Sequence, residues 1–146
     1  MTDKEMWNAY IAEHPEAAEE EYEAWSYGDS PDELANLTLE RIKTATASAY
    51  PFYELEGEPL PEAGEYSVIL RADGSAACVT RTTKVYVVPY KEVSAEQAYK
   101  EGEGDRSLAY WRQVHERFFR AEMESAGMEF TVEMGVVCEE FEVVFK

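Results

Sequence analysis

Two alternating apolar runs meet at a turn that leaves this chain little choice of architecture. Tyr66–Arg71 and Ala76–Arg81 flank Ala72-Asp73-Gly74-Ser75, and Asp-Gly supplies the left-handed backbone positions of a tight hairpin. A third run, Lys84–Tyr90, is closed by Pro89, and Val136–Phe145 reads as a long final strand. A mainly antiparallel sheet is therefore the fixed element, and everything else must pack around it.

The remaining segments change to helical period. Residues 3–27 read as helix interrupted at Pro15, with Met6, Trp7, Tyr10 and Ile11 as one apolar stripe and Tyr22 with Trp25 as a shorter one. The acidic run Glu19–Glu21 with Glu23 reads as a solvated helix face. Ser30-Pro31-Asp32-Glu33 is a helix start, with Ser30 as cap, Pro31 at the first position and Glu33 closing a capping box. Leu34, Leu37 and Leu39 give that helix its core face, and it runs to about Arg41. Thr44–Ser48, rich in small and β-branched residues, is a strand or an ordered loop. Ser94-Ala95-Glu96-Gln97 is a second capping box, opening a short helix to about Lys100. After the loop Glu101–Gly104, Asp105 or Ser107 caps a long helix to about Ser125, ended by Gly127. Leu108, Trp111, Val114, His115, Phe118 and Phe119 share its broad apolar face. The expectation is one α+β domain over 1–146. Its N-terminal part, 1–41, is helical, and 42–146 is a mainly antiparallel β-barrel with inserted packing helices.

Charge narrows the partners. The net charge is −18, spread unevenly. Residues 1–40 hold twelve acids against one base, 41–120 twelve against eleven, and 121–146 seven against one. Such a chain repels phosphate at long range, which argues against tight binding to duplex DNA. Only the near-neutral middle segment suits an anionic ligand. Apolar stretches such as Val85–Tyr90 fall far short of the ~20 residues that span a bilayer. No basic start leads into an apolar run, so a cytoplasmic protein without membrane contact is expected. Cys78 and Cys138 lie in strand-like runs and are expected as buried thiols.

Three groupings could carry chemistry. Lys43 lies at a helix end three residues before Thr46, the arrangement of a general base beside a hydroxyl nucleophile. A lysine in that role needs partial desolvation, which favours the neutral amine. The plainer reading is a helix-terminal cation followed by a threonine-rich strand. Glu101, Glu103 and Asp105 alternate with glycines and offer oxygen ligands for Mg²⁺ or Ca²⁺, or simply a helix cap with a shaped entry turn. Arg112 and His115 beside Trp111, Phe118 and Phe119 could stack on a base or meet a phosphate. Alternatively the aromatics and His115 belong to the core, and Arg112 pairs with Glu116 one turn on. Two His and two Cys without C-x-x-C or H-E-x-x-H make no zinc site, and no phosphate-binding glycine loop or nucleophile elbow occurs. No metal or cofactor is expected.

Together these strings resemble the ASCH domain family. Ile42-Lys43-Thr44-Ala45-Thr46-Ala47-Ser48 resembles its signature strand, and Trp25-Ser26-Tyr27-Gly28-Asp29 the aromatic-glycine stretch before it. Glu101-Gly102-Glu103-Gly104-Asp105-Arg106-Ser107-Leu108, followed by Trp111-Arg112, His115 and Phe118-Phe119, resembles the second signature of the bacterial single-domain branch. Val136–Glu139 with Phe141–Val143 is similar to the closing strand. The resemblance implies a barrel like that of the PUA RNA-binding domain, with a cleft holding the lysine-threonine strand. It implies RNA binding, in some members RNA cleavage. In a shorter branch it implies hydrolysis of the acetyl amide of N4-acetylcytidine by a lysine, a threonine and a glutamate. These fall on Lys43, Thr46 and Glu101, with Glu103 a weaker fit for the last. The partner is then a small nucleoside or single-stranded RNA, with Thr44, Ser48, Glu103, Arg112 and His115 as substrate contacts. One departure stands out: the family usually has glycine two residues before the lysine, where this chain has Arg41. That glycine either admits a ligand or ends a helix.

Overall fold

The structure, a computed structural model, describes all residues 1–146. Its elements are α1 (Asp3–Glu13), β1 (Tyr22–Trp25), α2 (Pro31–Leu39), β2 (Ala45–Ala49), α3 (Tyr50–Glu56), β3 (Tyr66–Leu70), β4 (Ala76–Pro89), α4 (Ala95–Glu101), α5 (Leu108–Ser125) and β5 (Gly135–Phe145). The hairpin forms as its turn dictates, with Val68 opposite Val79 and Ile69 opposite Cys78. The two runs on either side of Arg81 are one strand, β4, which pairs along its length with β5 and absorbs the change of face through register shifts at Val79/Thr80 and Thr82/Lys84.

Alternation distributes the core over both faces of the sheet. Val68 and Val79 pack with Met6, Trp7 and Tyr10 of α1. Ile69 and Cys78 pack with Leu34 and Ala35 of α2 and with Tyr27. Val136 and Cys138 pack with Trp111, Phe119 and Met123 of α5. No helix is long and apolar enough to cross a membrane. Both cysteines are free and buried, and burial pushes their thiols up to about 11 for Cys78 and about 12 for Cys138. Neither thiol should react with a maleimide in the native protein, and both should react once it is unfolded; rapid labelling without denaturant would contradict this packing.

Three expectations are corrected. The sheet order is β1-β3-β4-β5-β2, so β1 and β2 are edges that do not pair and the barrel is not closed. Residues 22–25 are not helical. They form β1, parallel to β3, with Tyr22 opposite Tyr66 and Trp25 opposite Ile69. A helix there would set the like charges Glu19 and Glu23 one turn apart, and strand pairing supplies what that helix lacks. Ser30 does not cap α2, because its backbone is left-handed (φ 47°) and its hydroxyl meets no amide of the first turn.

Candidate active-site cleft

The chain leaves α2 through Arg41, whose backbone is also left-handed (φ 61°). The amides of Ile42 and Lys43 both donate to the Leu37 carbonyl, at 3.0 and 3.1 Å, a helix-terminating turn that suits glycine. Arg41 is exposed and lines no part of the cleft described below, so in this chain the position ends a helix and does not narrow the site. Arg41→Gly should raise stability by about 1 kcal/mol, read from chemical denaturation, since a side chain in this conformation costs about that much. A loss of stability would contradict the assignment.

Immediately after this turn, residues 42–44 cross the C-terminus of α4. The Thr44 amide donates to the Lys100 carbonyl at 2.7 Å. Gly102 ends α4 at φ 74°, and a Cβ there would stand 2.7 Å from the Ile42 carbonyl oxygen. Gly102→Ala should therefore destabilise the fold by at least about 1 kcal/mol and loosen the cleft, because backbone atoms, not a flexible side chain, must yield.

The crossing drives Lys43 inward. Its side chain is 1% exposed, with Nζ 3.1 Å from Glu103 Oε2, 3.6 Å from Glu101 Oε1 and 3.4 Å from the Glu101 carbonyl oxygen. It also lies 5.2 Å from the centre of the Tyr27 ring. Glu101 is as deeply buried. Trp111 Nε1 donates to its Oε2 at 2.6 Å and Gln97 Nε2 at 3.1 Å, while His115 Nε2 stands 3.4 Å from Oε1. Burial works against ionisation of Glu101, but Lys43, His115 and Trp111 outweigh it and hold its pKa below the usual carboxylate value. His115 stacks on Trp111 with ring centres 4.1 Å apart, so the apolar face of α5 packs into the core through Trp111 and Phe119 and walls the recess through His115.

Lys43, Thr46, Glu101, Glu103 and His115 line one recess of about 60 Å³. Glu101, Glu103 and His115 offer atoms within 4.8 Å of one another, a spacing that would suit a metal ion. The Lys43 ammonium already sits against both carboxylates, so a divalent cation would have to displace it. The other expected contacts lie elsewhere. Ser48 pairs with Tyr53 Oη at 2.9 Å in the neighbouring cavity. The Thr44 hydroxyl faces the Lys100 carbonyl at 3.4 Å, outside the recess. Arg112 lines neither space. It donates to the carbonyls of Tyr90, Lys91 and Val93 at 2.9, 2.8 and 3.2 Å, fastening α5 to the chain after β4, and does not pair with Glu116. Asp105 accepts from the Ser107 amide at 2.9 Å, and Ser107 caps α5.

Two participants were not evident from sequence. Gln97 is 1% exposed and bridges Glu101 to the Thr46 carbonyl, donating at 3.1 and 3.2 Å, while accepting from Tyr86 Oη at 3.1 Å. The Gln97 backbone N–H donates to the Ser94 hydroxyl at 3.0 Å, but the Gln97 side-chain oxygen accepts nothing from the Ser94 backbone N–H, so only half of the capping box forms. The signal was present in the Gln97–Glu101 spacing of one helical turn. The second is a cavity of about 800 Å³ that opens from the recess, sharing Tyr27, Gly28, Thr46, Ala47 and Phe118 with it. It is bounded by both edge strands, by α3 and by Glu58–Pro61, so the gap where a barrel would close is the cleft. Its lining includes six glutamates and six aromatic residues and no Lys, Arg or His.

Comparison with known proteins agrees with this architecture. The sequence model of the ASCH domain matches residues 23–145. The crystal structure of an ASCH domain from Lactobacillus crispatus JV V101 superposes with a TM-score of 0.92 at 31% identity, covering 98% of this chain and 94% of that one. A protein from Enterococcus faecalis V583 gives 0.89 at 34% identity, covering 97% and 87%. A hypothetical protein at 17% identity and TM-score 0.58, covering 85% and 100%, shares the fold alone. No curated protein sequence matches significantly. The chain belongs to the ASCH domain family.

Proposed function

We propose that this protein is an amidohydrolase that removes the acetyl group from an uncharged N4-acetylcytidine-type nucleoside. The observation that carries the choice is the cleft's charge. A cavity of ligand size lined by six glutamates and no basic residue disfavours phosphodiesters, and its aromatic walls suit a heterocycle. The only cation of the adjoining recess, Lys43, is already matched by Glu101 and Glu103. RNA, as ligand or as substrate of cleavage, would meet repulsion along the whole cavity.

In this reading Thr46 Oγ1 attacks the acetyl carbonyl carbon and Lys43 takes the threonine proton. The C–N bond breaks, and Lys43 returns the proton to the departing amine, giving cytidine and an acetyl ester on Thr46. Water then attacks the ester, Lys43 accepts its proton and passes it to Thr46 Oγ1 as the ester C–O bond breaks, and acetic acid leaves as acetate with its proton lost to solvent. Lys43 rests as the ammonium between Glu101 and Glu103 and takes the threonine proton only after releasing one of its own. Glu103, 3.1 Å away and 19% exposed on its side chain, offers a proton exit to solvent. Glu101, fixed by three neighbours, anchors Lys43 in the recess that Thr46 also lines. Incubation with N4-acetylcytidine, its 5′-monophosphate and single-stranded RNA tests the reading. Deacetylation of the nucleoside at least tenfold faster than of the nucleotide, with intact RNA, is expected. Preference for the nucleotide, or RNA cleavage, would overturn it.

A further inference from the structure

Resting on the nucleoside reading above, we propose that Glu139 is the specificity-determining residue of the cleft, its carboxyl group pairing side by side with a ring-nitrogen acceptor and the adjacent exocyclic N–H of an aminopyrimidine base. Glu139 and Thr46 are direct cross-strand partners in the β2–β5 ladder, and both line the larger cavity. Such partners present their side chains on one face of the sheet with Cβ atoms about 5 Å apart. A base whose exocyclic nitrogen meets the Glu139 carboxyl would thus carry its acetyl carbon to the Thr46 hydroxyl, because that nitrogen is itself one end of the scissile bond.

The carboxyl has no competing employment. Glu139 takes part in no ion pair and no side-chain hydrogen bond, whereas Glu101 and Glu103 in the recess are both engaged. The groups that face it are Glu23 from β1, Glu65 at the entry to β3, Tyr53 from α3 and Tyr27, with Glu122 of α5 on the cavity wall. None is a cation. Burial, then Glu65 and Glu23, push the Glu139 carboxyl up to about 7. Near neutrality it therefore presents both an O–H donor and a carbonyl acceptor, the complement of a ring nitrogen beside an N–H. Tyr27 and Phe118 supply flanking ring surface.

The test is calorimetric titration of wild type, Glu139→Gln and Glu139→Ala with cytidine at pH 6 and pH 8.5, with N4,N4-dimethylcytidine as the probe lacking the N–H. Wild type should bind cytidine at least tenfold more tightly at pH 6 than at pH 8.5. Glu139→Gln, whose amide keeps one donor and one acceptor at every pH, should bind equally at both. Glu139→Ala should lose at least tenfold at pH 6, and the dimethyl probe should bind wild type at least tenfold more weakly. Equal affinity of wild type and Glu139→Ala, a Gln variant that follows the wild-type pH dependence, or no cytidine binding at all would overturn the proposal. The outcomes separate the two readings. Cytidine binding as described without turnover of the acetylated nucleoside defeats the hydrolase alone. Turnover with kcat/KM unchanged in Glu139→Ala defeats the Glu139 assignment alone.

Discussion

Lys43→Ala should abolish deacetylation and destabilise the protein by about 3–5 kcal/mol. The stability loss follows from leaving Glu101, buried and ionised, without its cation, the usual cost of removing one partner of a buried pair. The activity loss follows from removing the group that takes the Thr46 proton. Lys43→Arg separates the two effects. It keeps a positive charge against Glu101 and Glu103 and so should recover part of the stability, read from urea denaturation. It should not recover turnover, because a guanidinium stays charged at any working pH and cannot accept a proton. Full turnover in Lys43→Arg would show that Lys43 is no general base.

The second large effect is on pH. Glu101 and Glu139 shift in opposite directions and should bend the stability curve from both sides. The folded pKa of Glu101 lies below its ordinary 4.5, so its contribution is fully present above that value and is lost as pH falls through the folded one. The folded pKa of Glu139 lies above 4.5, at about 7, so the folded state holds the extra proton between these values. Its ionisation opposes folding progressively as pH rises from about 4.5 to about 7 and by a constant amount beyond. Glu139→Gln should therefore melt at a higher temperature than wild type above pH 7 and at the same temperature below pH 4.5. Glu101→Gln should lose stability most above pH 4.5, where the wild-type carboxylate is paired. Scanning calorimetry across pH 4–8.5 reads both. A Glu139→Gln melting curve parallel to wild type throughout would contradict the environment described for Glu139. A substitution that strengthens the fold while releasing ligand binding from its pH dependence is a signature that a purely structural residue would not give.

Sequence reading was most informative where local chemistry and global packing agree. The Asp73-Gly74 turn, the long α5 with Ser107 as cap, and the closing strand β5 all follow from period and turn residues. The site was legible for a related reason. Lys43, Thr46, Glu101, Glu103 and His115 lie in two signature strings, and the lining of one recess by all five follows from a single chain crossing at Gly102. Other elements carry weak local signals. The four residues of β1 are too few to display alternation, and their partner β3 lies more than forty positions on. Helix α3 has no side-chain cap and no fully buried residue, so neither end nor face announces it. Barrel closure depends on whether two distant edges meet, which no local pattern encodes, and here α3 and the cavity stand between them. Glu139 carries no local signal beyond its place in the closing strand; the register opposite Thr46 sets it beside the recess.

Acetyl transfer to Thr46 from an uncharged nucleoside in an acidic cleft can be followed by mass spectrometry of the protein quenched during turnover of N4-acetylcytidine carrying an isotope-labelled acetyl group. A transient labelled acetyl group is expected on the peptide containing Thr46, released as labelled acetate alongside cytidine, and absent from Thr46→Ala and Lys43→Arg. Turnover that persists in Thr46→Ala, with no acetylated peptide at any time, would contradict it.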